Sequence, residues 1–436
     1  MKRVLCVFLL LALGISLCAC GKTETKNAEE QTQEPVTLTI GIMPGKNGAA
    51  VYADLSRIVG EYNRQSSDCR VELVDLNQEG AFSEEEALLK LSTELTAGKG
   101  PDMLCFRPGV ISPFPYIRQS LLRDLSEDLA DDPEINLSDI VPAAAIMRDC
   151  GGLYVLPDSF AVESRVGLRE RFGNRWGWRF DEYLEMDRNR PENSLLMYNI
   201  TRDHFLEMSS ARFAREAIDW KTGLCDFDNP AFVEMLKTCK SIRENPEDPK
   251  DMVFGLPWTM LHDGYLLTDL IWVGSVGSLA QYTQNGDVEL SVIGWPTPDG
   301  SCGSDFSLLN PIGVLSRTQH PEACWRFLKF MLMHSQSTMP AYRPLLDGLI
   351  EEAKNRTEES KPMLYAEMLR GPISDNDAAL LRDLLDHIEH TTLYDPAAMD
   401  IISEECAAYF SGQRSAEETA RIIQSRMSIY VSEQSK

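Results

Sequence analysis

Three short stretches decide the fold: VTLTIGI at residues 36–42, RVELVDL at 70–76 and MLCF at 103–106. The first two alternate apolar and polar residues, as half-buried strands do, and the third is a short apolar run. The segments between them have the apolar spacing of helices, and the second helix opens with Ser83 and Glu86 in a capping box. This β-α-β-α-β order predicts an α/β lobe with a largely parallel sheet.

The whole chain is too long for one such lobe. It has 436 residues, whereas single hydrophobic cores stop growing at about 250–300 residues. We therefore expect two lobes. The segment from 165 to 290 is rich in helix-like patterns, and Ser415 with Glu418 forms a second capping box before a final helix.

The charge balance is strongly acidic, with 42 Lys and Arg against 67 Asp and Glu, for a formal net charge of −25. Such a charge disfavours nucleic acid and anionic membrane surfaces as binding partners. The net charge says little about whether the protein binds a neutral ligand.

The N-terminus has the pattern of a secretory signal. Lys2 and Arg3 precede the apolar run VLCVFLLLALGISL at 4–17, which is shorter than the ~20 residues of a membrane-spanning helix. The run ends in LCACG, which resembles the bacterial lipobox, in which a cysteine is acylated and becomes the new N-terminus. We predict a signal peptide at 1–19, lipidation of Cys20, and a polar, flexible linker at 20–35 that tethers the folded part to the membrane.

Metal, redox and catalytic motifs are not found in the sequence. The cysteines beyond Cys20 form no C-x-x-C pair, and both disulfides and buried free thiols are consistent with their spacing. His387-Ile-Glu-His390 is not the zinc-binding H-E-x-x-H pattern, and neither a G-x-S-x-G elbow nor a phosphate-binding G-x-x-x-x-G-K-[ST] loop occurs. We therefore expect no metal, no cofactor and no catalytic residue.

Several segments, taken in order, resemble extracellular solute-binding protein family 1 of bacterial ABC importers. The segments are TLTIGI (37–42), EYNRQSSDCRVELVDL (61–76), KLSTELTAGKGPDMLCF (90–106), LLRDLSEDL (121–129), GGLYVLPDSFAVESRVG (151–167), GWPTPDGSCGS (294–304), PIGVLSRTQHPEACWRFLKFML (311–332) and YFSGQRSAEETARIIQSRMSIYVSE (409–433). Their order and spacing carry the resemblance more than any one of them does, and residues 165–260 match least well.

The resemblance implies a two-lobe periplasmic-binding-protein-like fold with a hinge and an interlobe cleft. Lobe 1 would comprise 36–160 and 298–333, and lobe 2 would comprise 161–297 and 334–436, with one hinge strand through Phe160. A ligand would close the lobes, and the permease subunits of an ABC transporter would recognise the closed, monomeric protein.

Family members of this kind mostly bind sugars, whose apolar C–H faces pack on aromatic rings while their hydroxyls require polar partners. Residues near the predicted crossings and strand ends are therefore candidate ligand contacts, although each aromatic among them can equally belong to the core. These candidates are Phe106, Arg107, Phe160, Trp258, Tyr265, Trp272 and Trp295.

The sequence favours an extracytoplasmic, lipid-anchored solute-binding protein, most consistent with a carbohydrate or oligosaccharide ligand, and not an enzyme. Two alternatives remain at this point. One is a sensory or adhesive surface lipoprotein on the same fold, and the other is a surface glycosidase or peptidase, although no carboxylate pair can be nominated among so many scattered acidic residues.

Overall fold

The computed structural model describes residues 35–44, 52–78, 82–247, 255–286, 288–357 and 371–434. The elements before the first crossing are β1 (Val36–Ile42), α1 (Ala53–Gln65), β2 (Cys69–Asp75), α2 (Glu84–Thr96), β3 (Met103–Cys105), α3 (Phe114–Arg118), α4 (Ser126–Ala130) and α5 (Ala143–Cys150). The predicted signal peptide, Cys20 and the linker up to residue 34 lie outside the described residues.

The remaining elements begin with the long strand that leaves the first lobe. Up to the return crossing they are β4 (Ser159–Leu168), α6 (Arg169–Phe172), α7 (Phe180–Asn189), α8 (Arg202–Ala217), β5 (Ile218–Asp219), β6 (Leu224–Cys225), α9 (Pro230–Ser241), α10 (Pro257–His262), β7 (Thr268–Val273), α11 (Ala280–Gly286), β8 (Leu290–Val292) and β9 (Asp305–Leu309). After it come β10 (Ile312–Val314), α12 (Pro321–Met333), α13 (Arg343–Lys354), α14 (Asp375–His387), β11 (His390–Thr391), α15 (Pro396–Phe410) and α16 (Ala416–Glu433).

Lobe 1 is built on a four-stranded sheet in the order β10-β3-β1-β2. The three N-terminal strands are parallel, and β10 adds an antiparallel edge. Helix α1 buries Leu55, Ile58, Val59 and Tyr62 against this sheet, which is the apolar face that the sequence predicts. The capping box of α2 is present, since Ser83 accepts from the Glu86 N–H and Glu86 accepts from the Ser83 N–H.

Lobe 2 is built on a second sheet in the order β11-β9-β4-β7, with β8 also pairing with β4. Strand β4 is its centre, because it pairs antiparallel with β7, β8 and β9. Helix α8 packs between α9 and α15, and α16 packs on α15 and α9. Most buried apolar side chains of both lobes form one connected cluster, and Leu195, Met260 and Leu266 form a small second one.

The return crossing lies at Asn310, not at residue 298 as the sequence suggested. Strand β9 pairs with β4 in the second sheet, so residues up to Leu309 belong to lobe 2. The GWPTPDGSCGS segment turns back within that lobe, where the Trp295 N–H donates to the Gly303 carbonyl at 2.8 Å. Asn310, with φ of 45°, then turns the chain into β10.

All eight cysteines from Cys69 to Cys406 are free thiols, so the structure contains no disulfide among its described residues. Six of the eight are buried, in keeping with a role as small apolar side chains. Within the same residues, no helix has both the length and the apolar character needed to span a bilayer.

Candidate functional site

Arg107 organises the carboxyl edge of the lobe 1 sheet. It follows β3, and its guanidinium donates to the carbonyls of Met43 and Pro44, at 3.0 and 2.9 Å, where β1 ends. It also forms an ion pair with Glu84 at the start of α2, at 2.7 Å. This one side chain therefore fixes three segments that converge on the edge where α/β sheets bind ligands.

Asp158 contacts all three segments in which the chain passes between the lobes: its own segment, the one at Asn310 and the one at Ala341. Its carbonyl accepts from the Ala341 N–H at 3.1 Å, and its Oδ1 accepts from the Ser159 hydroxyl and the Asn310 amide at 3.0 and 3.3 Å. Its Oδ2 is buried and has no hydrogen-bond partner among the described residues. Burial raises the pKa of this carboxyl to about 6.

A row of four side chains crosses the second sheet beside the hinge. The register pairs Trp272 of β7 with Glu163 of β4, Glu163 with Asp305 of β9, and Asp305 with His390 of β11. Residues paired in this way share one face of the sheet. Trp272 is 51% exposed, whereas Asp305 is buried under Arg212 and forms an ion pair with it at 2.5 Å.

Glu163 is the carboxylate in this row that a ligand can reach. It is partly exposed, and it forms neither a hydrogen bond nor an ion pair with any described residue. Burial and the neighbouring Asp305 raise its pKa, while Arg212 acts in the opposite direction. The hinge strand thus carries an uncommitted carboxylate next to an exposed indole ring.

Tyr394 is where lobe 1 approaches this row. Its hydroxyl oxygen lies 3.1 Å from the position that a Cβ on Gly109 would occupy, so the turn after β3 contacts lobe 2 here. Gly109 has φ of +74°, a conformation that suits glycine. Burial raises the pKa of Tyr394, and the negative charges of Glu207, Glu163 and Asp400 raise it further.

A cavity of about 770 Å³ lies between α8 and α15 and is called here the α8–α15 groove. Its lining includes Glu207 and Ser210 from α8 and Asp400 and Phe410 from α15. Its lining residues all belong to lobe 2. The volume is within the range of small-molecule sites, roughly 300–1,000 Å³. Among the described residues, no group of three His, Cys, Asp or Glu side chains is arranged to hold a metal ion.

Solved structures of binding proteins share this fold. Extracellular solute-binding protein family 1 from Alicyclobacillus acidocaldarius subsp. acidocaldarius DSM 446 is 16% identical over 92% of this chain and 99% of that one, with a TM-score of 0.52. The sugar-binding protein MalE from Xanthomonas citri is 13% identical over 91% and 98% of the two chains, with a TM-score of 0.55. A periplasmic oligogalacturonide-binding protein from Yersinia enterocolitica is 14% identical over 92% and 100%, also with a TM-score of 0.55.

The chain has the fold of a two-lobe periplasmic binding protein. This confirms the fold class that the sequence predicts and the structural part of the family resemblance. A de novo designed esterase also matches, with a TM-score of 0.52, so the fold alone does not decide between binding and catalysis. No protein-family model matches the sequence, and no curated protein sequence matches it significantly.

In this periplasmic-binding-protein fold, most of the predicted aromatic contacts lie in the core. Phe106 packs on Tyr116, and Phe160 packs on Phe306, each of the two predicted rings being at most 1% exposed. Trp258 and Trp295 are also buried, and the Trp295 indole donates to the Ser209 hydroxyl at 3.1 Å beneath α8. These four rings present no free face to a ligand.

The other three predicted residues keep accessible surface. Arg107 lies at the carboxyl edge of lobe 1, and Trp272 lies beside Glu163 at the hinge strand. Tyr265 is 36% exposed, and its carbonyl accepts from the Leu195 N–H; none of its described contacts links it to the cleft. The structure therefore brings Trp272 to the site and leaves Tyr265 apart from it.

Sequence reasoning missed the polar side chains of the site. Glu163, Tyr394, Glu207 and Asp400 come from β4, the loop before α15, α8 and α15, and nothing in their spacing relates them. One signal was present for Glu163, because a carboxylate within the apolar stretch SFAVESRVGL is unusual in a central strand.

Proposed function

We propose that this protein is an extracytoplasmic solute-binding protein that delivers a small solute, a carbohydrate or oligosaccharide, to the permease of an ABC transporter. The proposal rests chiefly on one pair of side chains in the second sheet: the exposed Trp272 ring on β7 and, beside it on β4, the Glu163 carboxylate, which has no hydrogen-bond or ion-pair partner among the described residues. Neighbouring folds described as sugar-binding and oligogalacturonide-binding support the same ligand class.

The chemistry of the pair fits a sugar. The apolar face of a sugar ring packs on an indole, and ring hydroxyls donate to carboxylates. Further polar groups come from both lobes: the Tyr394 hydroxyl from lobe 2 and Arg107, at the carboxyl edge of the sheet, from lobe 1. A ligand that contacts both sides stabilises the arrangement in which the lobes meet, and this differential contact is what a closure mechanism requires.

Buried acceptors without partners support a ligand at the lobe 1 edge as well. Asn77, which follows β2, is 2% exposed, and its Oδ1 has no partner among the described residues, as is the case for Asp158 Oδ2. Buried polar atoms are nearly always hydrogen-bonded, so unsatisfied acceptors at the lobe 1 edge and at the crossings favour a hydroxyl-rich ligand between the lobes.

The membrane attachment in this proposal rests on the N-terminal sequence. Acylation of Cys20 would anchor a monomeric protein to the cell membrane through the polar linker, and the permease would be its protein partner. The net charge of −25 keeps the folded part away from anionic lipid and from nucleic acid.

A thermal-shift screen of the purified protein tests the ligand class. Di- and oligosaccharides, peptides and polyamines would be compared at equal concentration. A ligand at a hundred times its Kd adds about 2.7 kcal/mol to the free energy of unfolding. We expect at least one di- or oligosaccharide to raise Tm; stabilisation by peptides or metal ions alone would contradict the carbohydrate assignment.

A further inference from the structure

The α8–α15 groove carries an excess of negative charge. Carboxylates of Asp203, Glu207, Glu244 and Asp400 line it, and Arg202 is the guanidinium among its lining residues. That guanidinium is already engaged, since it lies 3.6 Å from Asp203 and 3.3 Å from Glu244.

Two of the carboxylates that line the groove are not neutralised by an ion pair. Glu207 and Asp400 are both exposed, and neither forms an ion pair with a residue that the structure describes. Both line the same groove, which they approach from two different helices, α8 and α15. Like charges brought together without a cation repel one another, and a bound cation would remove that cost.

A buried hydroxyl in the same groove also lacks a partner. Ser210 is 2% exposed, and its Oγ has no hydrogen-bond partner among the described residues although it lines the cavity. It lies one helical turn from Glu207 on α8, so both side chains are on the same face of that helix. A ligand atom that donates to Ser210 would satisfy a group that the fold leaves unpaired.

We propose that the solute carries a protonated amine, as an amino sugar does, and that Glu207 and Asp400 bind this amine while Ser210 accepts from a neighbouring donor. Phe410, whose ring centroid lies 4.5 Å from the Arg202 guanidinium, also lines the groove. The inference rests on the proposed function and narrows its ligand class to cationic carbohydrates.

Isothermal titration of the purified protein with glucosamine oligomers tests the proposal, with N-acetylglucosamine oligomers of the same length as the matched neutral ligand. We expect the amine oligomer to bind at least tenfold more tightly. Its affinity should fall with added salt, because the screening of exposed charges increases with ionic strength. Equal affinity for the two oligomers would overturn the proposal.

Paired substitutions identify the groups that bind the amine. Glu207→Gln and Asp400→Asn together should weaken binding of the amine oligomer at least tenfold while leaving Tm within about 2 °C. Glu234→Gln removes an exposed carboxylate on α9 outside the groove and should leave affinity unchanged. An unaltered affinity in the double variant, or an equal loss in the α9 variant, would refute the assignment.

The same titrations separate this inference from the proposed function. Binding of neutral oligosaccharides that is insensitive to the Glu207 and Asp400 changes leaves the carbohydrate function intact and removes the amine site. Binding of spermidine as tight as that of the amine oligomer, with neutral sugars inactive, supports the cationic groove and contradicts the carbohydrate assignment.

Discussion

The buried carboxyl of Asp158 makes the hinge sensitive to pH at the level of a single residue. Its folded-state pKa of about 6 lies above the ordinary value of 3.8, so the folded protein binds this proton more tightly than the unfolded chain does. Protonation therefore favours folding. Below about pH 4 the carboxyl does not lower the free energy of unfolding. Between pH 4 and 6 its ionisation lowers the free energy of unfolding progressively, by about 3 kcal/mol in all.

Asp158→Asn should remove that loss of unfolding free energy while keeping the shape and the acceptor for Ser159. At pH 8 we expect the variant to be up to about 3 kcal/mol more stable than the wild type, and at pH 4 the two should agree. Denaturant unfolding at both pH values measures the difference. A difference that does not change with pH would contradict this account of the carboxyl.

Trp272→Ala should weaken binding of the solute identified in the thermal-shift screen by at least tenfold, or about 1.4 kcal/mol. The ring is 51% exposed, so its removal should cost little stability. Leu224→Ala is a suitable control, because this side chain is 70% exposed on β6. The same loss of affinity in both variants would show that the indole is not a specific contact.

Burial explains why the sequence predicted some site residues and not others. Trp272 and Trp295 are the same residue type near the same crossing, yet one is exposed on the edge strand β7 and the other is packed beneath α8. Local pattern does not distinguish these two environments, because the difference arises from helix packing that is remote in sequence. Glu207 and Asp400 became neighbours for the same reason.

At the scale of elements, β11 is held by a buried contact from α5. Asp149 accepts from His390 Nδ1 at 2.6 Å and from both the N–H and the hydroxyl of Thr391 at 2.7 Å. Burial acts against a charged imidazole, but the hydrogen bonds to Asp149 and Glu216 outweigh it and raise the pKa of His390 to about 9. The stabilisation is complete below pH 6.5 and is lost as the pH rises through 9.

Asp149→Ala should lower the free energy of unfolding at pH 7 by about 3 to 5 kcal/mol, since it removes the buried partner of His390 and leaves the buried Thr391 N–H and hydroxyl without their acceptor. Arg148→Ala is the matched control: it removes the adjacent, exposed ion pair with Glu389 and should cost less than about 1 kcal/mol. Chemical unfolding of both variants checks the comparison, and the Asp149 effect should shrink above pH 9. An equal loss of unfolding free energy in the two variants would contradict a stabilising role for the buried contact between Asp149 and β11.

The elements themselves were largely predictable. The three strands of lobe 1, the apolar face of α1 and the capping box of α2 all follow from local periodicity and capping chemistry, and the structure confirms them. The position of the return crossing was not predictable, because β9 is a short strand whose membership in the second sheet depends on pairing with β4. Sheet membership is a long-range property that local sequence does not encode.

For the whole molecule, the lobes meet through more than the hinge. Phe114 of lobe 1 stacks on Trp220 of lobe 2 with centroids 5.3 Å apart and planes 12° from parallel. Arg118 of lobe 1 also donates to the Lys221 carbonyl at 2.8 Å. A solute that changes the lobe arrangement would alter these contacts and hence the surface offered to a permease.

Cys20→Ala should release the protein from the membrane without changing its fold, because every described residue of the folded part lies after the linker. Membrane fractionation followed by thermal unfolding of the soluble material measures both properties. We expect the variant to have the Tm of the wild-type protein and to be absent from the membrane fraction. Continued retention in that fraction would contradict lipid attachment.

The return of the chain to lobe 1 at β10 sets an order for its synthesis. The other three strands of that sheet are complete by Cys105, but the fourth arrives only with Ile312. A chain that emerges N-terminus first must therefore leave one edge of β3 unpaired until some two hundred further residues have passed. Contacts so distant in sequence form slowly, so the lobe 1 sheet gains its last strand only after the second sheet's β4, β7, β8 and β9 have been synthesised.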